Sequence, residues 1–290
     1  MATVLAQLVV NGLAMGLVYA ILASGLVLIL GIARILYLAY GVAYMLGAYV
    51  VWATMVPLKF PFFISLCLAV LSTAILGLIS YRLIFQYVQW QLLATIVAAI
   101  GLMMMLGQAA LLAFGTSSRG VPSVFPGMVN VGGVTISIEK LVLIVLTLIV
   151  MVGLYFLLQK TNIGRGMRAV SFRADVAALQ GVSPSLVYLA AMGIGCGLAG
   201  FAGGIMAPVY AVSPEMGNII LTVLLVVMLG GMGSMLGAIL GGLVLGMTLS
   251  FGYYFIGGGL AQILLFIVIG IIVFFRPGGL LGQVGEELPL

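Results

Sequence analysis

Lys160, Arg165, Arg168, Arg173 and Asp175 all fall within KTNIGRGMRAVSFRADVAALQGVSP, residues 160–184, in a chain of 290 residues that has only ten basic and five acidic ones. Guanidinium groups are rigid forks that pair with carboxylates and phosphates. This spacing therefore offers recognition of a partner surface rather than bond-making. The usual means of bond-making are missing. The chain has no histidine, which removes the commonest general base, the usual zinc ligand and the Ser-His dyad of many hydrolases. It has no Gly-Lys pair and hence no phosphate loop with which to bind ATP. An enzyme is not expected.

Placed on a helix at about 100° per residue, Met167, Val170, Ala174, Ala177 and Ala178 make one small apolar face. The opposite face mixes Phe172, Val176 and Leu179 with Arg165, Arg168 and Asp175. Gly181 ends this helix and Pro184 follows as a stop. Pattern alone leaves two readings open. The segment is either held between a membrane bundle and a cytoplasmic protein, with Phe172 as anchor, or lies on a membrane surface with its arginines on anionic lipid.

The elements that carry this segment follow from composition. Hydrophobic residues make up 65% of the chain and charged ones 5%, with a mean hydropathy of +1.42. Soluble domains are roughly a quarter charged. Runs free of charge cover 4–30, 35–56, 61–81, 92–114, 141–158, 186–209 and 216–275. A bilayer-crossing helix needs about 20 such residues, and in hydrocarbon the backbone must satisfy its own polar groups. The chain reads as an all-α polytopic membrane protein, a single transmembrane domain over 1–290 with about nine spans, eight to ten according to how 219–255 divides. The alternating pattern of an outer-membrane barrel is absent. Residues 4–30 read as a retained membrane helix rather than a signal peptide.

Cytoplasmic loops hold an excess of Lys and Arg. Placing 160–173 inside puts Arg34, Arg82, Lys160, Arg165, Arg168, Arg173 and Arg276 in the cytoplasm, and Lys59, Arg119 and Lys140 outside. The N-terminus is then outside and the C-terminus inside. Cations confined to span ends argue for topology and against nucleic-acid binding. Residues 115–139 form a long extracytoplasmic loop, with alternation in VTISI that suits a hairpin strand. It is a docking surface for an outside partner or a solvated connector. Cys67 and Cys196 read as small buried packing residues.

Gly193, Gly197, Gly200 and Gly204 lie along one helix face, and Gly233, Gly237 and Gly241 form a second seam. Small residues let helices approach where lipid gives them no hydrophobic reason to associate. MLGA at 45–48 recurs at 235–238, which suits an internal repeat. The spans carry no ionisable group for a proton relay. A sodium site built from hydroxyls and carbonyls stays open, but active transport by this chain calls for an engine in another subunit.

The stretches TNIGRGMRAVSFRADVAALQGVSPSLVYLAAMGIGCGLAGFAGGI, LGGMGSMLGAILGGLVLG and FFRPGGLLG closely resemble the permease subunits of branched-chain amino acid ABC importers, the smaller of the two paired permeases most of all. NGLAMGLVYAILASGLVLILGIARILYLAYGVAYMLGAYV and FGTSSRGVPS agree as well, so the resemblance covers nearly the whole chain. It implies that Gly164, Arg165, Met167, Arg168, Ala169, Ala178 and Gly181, with Phe172 and Asp175 beside them, form the coupling segment that docks on an ATPase. It also implies a second homologous permease, two cytoplasmic ATPase subunits that use ATP and Mg, an extracytoplasmic substrate-binding protein, and the inner membrane of a bacterium or archaeon. This chain itself is expected to bind no cofactor or metal. Where relatives read Asn-Phe-Ala-His-Gly, this chain has Tyr37, Leu38, Ala39, Tyr40 and Gly41; Val42 stands for a frequent acid and Thr222 for a lysine. Asn11, Tyr37, Tyr40 and Asn218 are the candidate path-lining residues. The substrate class is branched-chain or related small amino acids. Urea, short amides and aromatic acids are the alternatives within such importers. A passive channel for small neutral solutes is the rival from another class, followed by a sodium-coupled carrier and, last, an intramembrane enzyme.

Overall fold

A computed structural model describes residues 2–131, 134–231, 233–275, 278–279 and 281. The chain is helical nearly throughout. Its elements are α1 (Ala2–Ala33), α2 (Tyr40–Met55), α3 (Phe62–Ser80), a π-turn (Tyr81–Phe85), α4 (Gln86–Val88), α5 (Leu92–Phe114), α6 (Ile138–Lys160), α7 (Asn162–Phe172), α8 (Ala174–Leu179), α9 (Pro184–Met206), a 3-10 turn (Pro214–Asn218), α10 (Ile219–Gly230), α11 (Met235–Phe255) and α12 (Gly258–Phe275). One antiparallel hairpin, β1 (Met128–Val131) and β2 (Val134–Ser137), pairs Val129 with Ile136 and Asn130 with Thr135. It supplies the strand expected of VTISI.

Six helices among the described residues are long and apolar enough to cross a membrane: Thr3–Ala33, Phe62–Val88, Leu92–Phe114, Ile138–Lys160, Pro184–Met206 and Met235–Phe255. Tyr40–Met55, Pro214–Gly230 and Gly258–Ile271 are shorter apolar helices. Several span hydroxyls bond within their own helices, as Ser24 Oγ donates to Ala20 O at 2.7 Å and Thr73 Oγ1 to Ala69 O at 2.8 Å, while Ser250 Oγ on α11 donates across to Leu8 O of α1 at 2.7 Å.

The core is built on α1 and α9, whose surfaces are mostly buried, while α5 and α6 are largely exposed at the periphery. The two most extensive helix contacts are α1 with α11 and α9 with α3, both antiparallel. Glycines set both. A methyl on Gly16 would lie 3.0 Å from the Leu243 Cα, and one on Gly246 would strike the backbone of Gly16. On α9, the expected seam faces α3: Gly193 lies against Leu78, Gly197 against Ala74, Gly200 against Thr73 and Gly204 against Leu66. Gly237 and Gly241 seat α11 on α10, against Gly230 and Val226.

Three expectations need correction. Gly233 is not part of the second seam: it lies in the turn between α10 and α11 at φ +93°, with nothing within 4 Å of a Cβ placed there. A left-handed backbone at that turn is what glycine supplies. Cys67 is exposed on the outer face of α3, whereas Cys196 is buried. The apolar run 35–56 is not one helix. Arg34 turns the chain at φ +55°, and helix resumes only at Tyr40. Arg276 lies outside the described residues.

The ends of the bundle sort the charges. Gln7 Nε2 donates to Thr135 O at 2.7 Å, and Arg119 exchanges backbone hydrogen bonds with Val212 at 2.8 Å, gathering the start of α1, the hairpin and the loop after α9 at one end. At the other end, Tyr81 meets Tyr188. Residues 160–184 lie at this second end, where α7 packs on α1, α6 and α9.

Candidate functional site

The charged segment is two helices joined at an elbow. Thr161 caps α7, its Oγ1 accepting from the Gly164 amide at 3.1 Å. Gly164 is buried against the Leu157 and Leu158 carbonyls, with no space for a Cβ. Met167 and Val170 continue the buried face, and Ala169 is half-buried. The single helix expected over 164–181 is interrupted at Arg173, whose backbone is extended at φ −150°, ψ 106°. Just before it, Ser171 Oγ donates to Arg168 O at 2.8 Å, a local bond that competes with helix continuation. Ala177 is buried in α8, but Ala178, expected on the same face, is exposed. The elbow rotates the second helix relative to the first. Gly181 leaves α8 at φ +84°, and Pro184 is the first residue of α9.

The outward face carries the large apolar groups. Phe172 is 78% exposed and Leu179 is 89% exposed, with Val176 between them and Asp175 exposed in the first turn of α8. The arginines divide. Arg168 is half-buried and donates to Leu158 O and, at 3.3 Å, to Gln159 Oε1, so it caps the C-terminal end of α6. Arg165 donates to Asn162 Oδ1 on the exposed side, and Arg173 is exposed at the elbow.

A second constellation lies in the middle of the bundle. Tyr40 is buried and its hydroxyl donates to Leu22 O at 2.9 Å, well inside α1. Tyr37 is buried with its hydroxyl 3.2 Å from Ser80 Oγ and its ring edge-on to Phe85. Both phenols are thus engaged in packing. The start of α2 abuts the start of α10: a Cβ on Gly41 would overlap Gly217 O and lie 3.0 Å from Ile220 Cβ. Asn218, at the entry to α10, is exposed and makes no side-chain cap. Two helix starts therefore meet inside the protein.

The third feature is a cavity of about 310 Å³ at the hairpin end, between α1, α6, α9 and α11. Asn11 and Lys140 line it together, the Lys140 ammonium donating to Asn11 Oδ1 at 2.8 Å. Tyr210 and Tyr253 supply aromatic wall, and Leu143 and Met206 supply apolar wall. Of the four candidate path residues, only Asn11 is on this cavity. Lys140 was legible in the sequence only as an outside charge; its place in the first turn of an apolar span was the available signal.

A family model described as the permease component of branched-chain amino acid transport systems matches residues 8–274. The high-affinity branched-chain amino acid transport system permease protein BraD of Pseudomonas aeruginosa is 29% identical over 96% of this chain and 95% of its own length. The LivH permease proteins of Salmonella typhimurium and Escherichia coli, of the same description, are 26% and 25% identical over 73% of each chain. No solved structure matches the chain. With a match spanning nearly its whole length, and a bundle of glycine-seated helices as its fold, the chain belongs to the family of branched-chain amino acid transport permease components.

Proposed function

We propose that this chain is a transmembrane permease subunit of an ATP-driven importer for branched-chain or related small amino acids. It shares the path with a second permease and is driven by two cytoplasmic ATPases. The observation that carries the reading is the α7–α8 elbow. Met167, Val170 and Ala177 seat it on the bundle while Phe172 and Leu179 are left almost bare beside Arg165 and Arg173. A large aromatic with flanking guanidinium groups is the kind of anchor that dominates protein interfaces.

Nine crossings suit the six long and three shorter apolar helices, with the elbow end in the cytoplasm and the hairpin end outside. Among the described residues, six basic ones (Arg34, Arg82, Lys160, Arg165, Arg168, Arg173) then face inward and three (Lys59, Arg119, Lys140) outward, in keeping with an excess of cytoplasmic cations. The packing of α1 along α11 and of α9 along α3 supports an internal repeat, with α1 corresponding to α9 and α3 to α11. The MLGA pair is not its trace, because it lies on α2 and α11, which this exchange does not relate. The loop over 115–139 and the strand-paired segment at Val212 form the outer surface for a substrate-binding protein.

Transport proceeds by alternating access. Closure of the ATPase pair on ATP pulls the elbow inward, and α7 passes the displacement to α1, α6 and α9. The glycine-seated helices slide, and the contact at Gly41 and Gly217 parts. Solute contributes only through its differential affinity for the two states. The test is leucine uptake by proteoliposomes holding the permease pair, the ATPases and the binding protein. Phe172→Asp is expected to abolish both uptake and ATPase co-purification while the permease inserts normally. Leucine accumulation by the chain alone, without ATPases, would overturn the reading.

A further inference from the structure

We infer that the cavity between α1, α6, α9 and α11 is an entry site in this subunit for the whole zwitterion of an apolar amino acid, with Lys140 receiving the carboxylate. The inference rests on the importer reading and adds a place and a set of contacts to it. Lys140 is half-buried at the first turn of an apolar helix, and among the described residues it forms no ion pair; its one side-chain hydrogen bond is to neutral Asn11. An ammonium has three donors, so two remain for an incoming anion. The nearest acidic residue in sequence, Glu139, is turned away: its Oε1 accepts from the Val124 amide at 3.0 Å and lines a separate, smaller cavity. A partly desolvated cation without a counter-charge favours a ligand that brings one.

Tyr210, Tyr253 and Tyr254 line the cavity, and aromatic phenols suit an ammonium. Leu143, Met206 and Val209 offer a hydrocarbon wall. A carboxylate receiver, a cation-friendly aromatic wall and an apolar wall together match the three parts of a leucine-like amino acid. The volume is at the lower end of the roughly 300–1,000 Å³ typical of small-molecule pockets. That size suits a small solute better than a lipid with two acyl chains.

The experiment uses the assembled importer in nanodiscs with photo-leucine as probe. Labelling is expected on peptides containing 206–210 and 250–254, competed by 4-methylpentanoate, which keeps the carboxylate, and much less by 3-methylbutylamine, which lacks it. Lys140→Met should lower labelling about tenfold or more, the scale of losing a charge-assisted hydrogen bond, and Lys140→Arg should retain most of it. Asn11→Asp guards against a merely structural effect. It keeps the link between α1 and α6 as an ion pair but supplies an internal counter-charge, so labelling should fall by a similar factor in a protein that remains folded. Equal labelling in Lys140→Met and wild type overturns the inference, as does displacement of the probe by phosphatidylglycerol but not by 4-methylpentanoate. Leucine uptake measured on the same samples separates the two claims. Normal uptake without labelling sinks the entry site alone, whereas labelling without uptake upholds the site and sinks the importer.

Discussion

Gly41 and Gly217 touch backbone to backbone where α2 and α10 begin, and a methyl on Gly41 would overlap the Gly217 carbonyl oxygen. Ile220 Cβ lies beside the same contact, so there is no space for a side chain on Gly41. Gly41→Val should therefore wedge the two helix starts apart. A cost of about 1–3 kcal/mol is expected from overpacking, read as a lower melting temperature of the detergent-purified protein and loss of uptake. Unchanged stability and uptake would show that the two helices separate freely there.

Arg168→Glu tests a different property from Phe172→Asp. Because Arg168 donates to Leu158 O and Gln159 Oε1, a carboxylate there would face the electron-rich end of α6. Uptake should fall while membrane insertion persists, and protease should cut more readily near 160–165. Arg168→Lys should recover part of the activity. If the protease pattern stays unchanged while ATPase binding disappears, Arg168 contacts the partner directly.

Gly200 is enclosed on two sides, by Thr73 of α3 and by Gly47 of α2. Gly200→Leu is expected to be among the most disruptive single changes in the bundle, abolishing stable expression. Gly233→Ala should act through the backbone, because its position has space but a left-handed φ. Its cost should be on the order of 1 kcal/mol, measured by thermal unfolding.

Arg119 places its guanidinium 4.6 Å from the centre of the Trp52 ring, while its Nη2 donates to Phe114 O at 2.8 Å. Its backbone also pairs with Val212. Arg119→Ala should loosen the loop after α5 against α2 by about 0.5–2 kcal/mol. Faster hydrogen exchange over 115–124 and 210–214 is the expected result, with little change at the elbow end.

Much of this was legible from residue types. Charge-free runs marked the helices, the cations sorted the two ends, and the spacing of Gly193, Gly197, Gly200 and Gly204 announced the face that meets α3. What hydropathy could not announce is direction. Ile35, Leu36, Leu38 and Ala39 are as apolar as the helix that follows, so nothing in their composition separates a returning strand of chain from one more turn. Arg34 at φ +55° makes the difference, and a lone arginine there reads only as a span end. The elbow at Arg173 was hidden for a similar reason: every residue from Ala174 to Leu179 suits the helix begun at Asn162. The cavity was hidden by distance along the chain, since Asn11, Lys140, Met206 and Tyr253 have no shared pattern until α1, α6, α9 and α11 bring them together.

The charge-free character of the helices between the two ends has an electrical consequence. Rearranging them carries no ionised side chain through the transmembrane field, where one elementary charge is worth about 2.3 kcal/mol per 100 mV. The rocking of this subunit should consequently be silent to voltage: a valinomycin-imposed potential would neither drive nor brake it, and the cell could let its membrane potential swing without altering the protein's supply of solute.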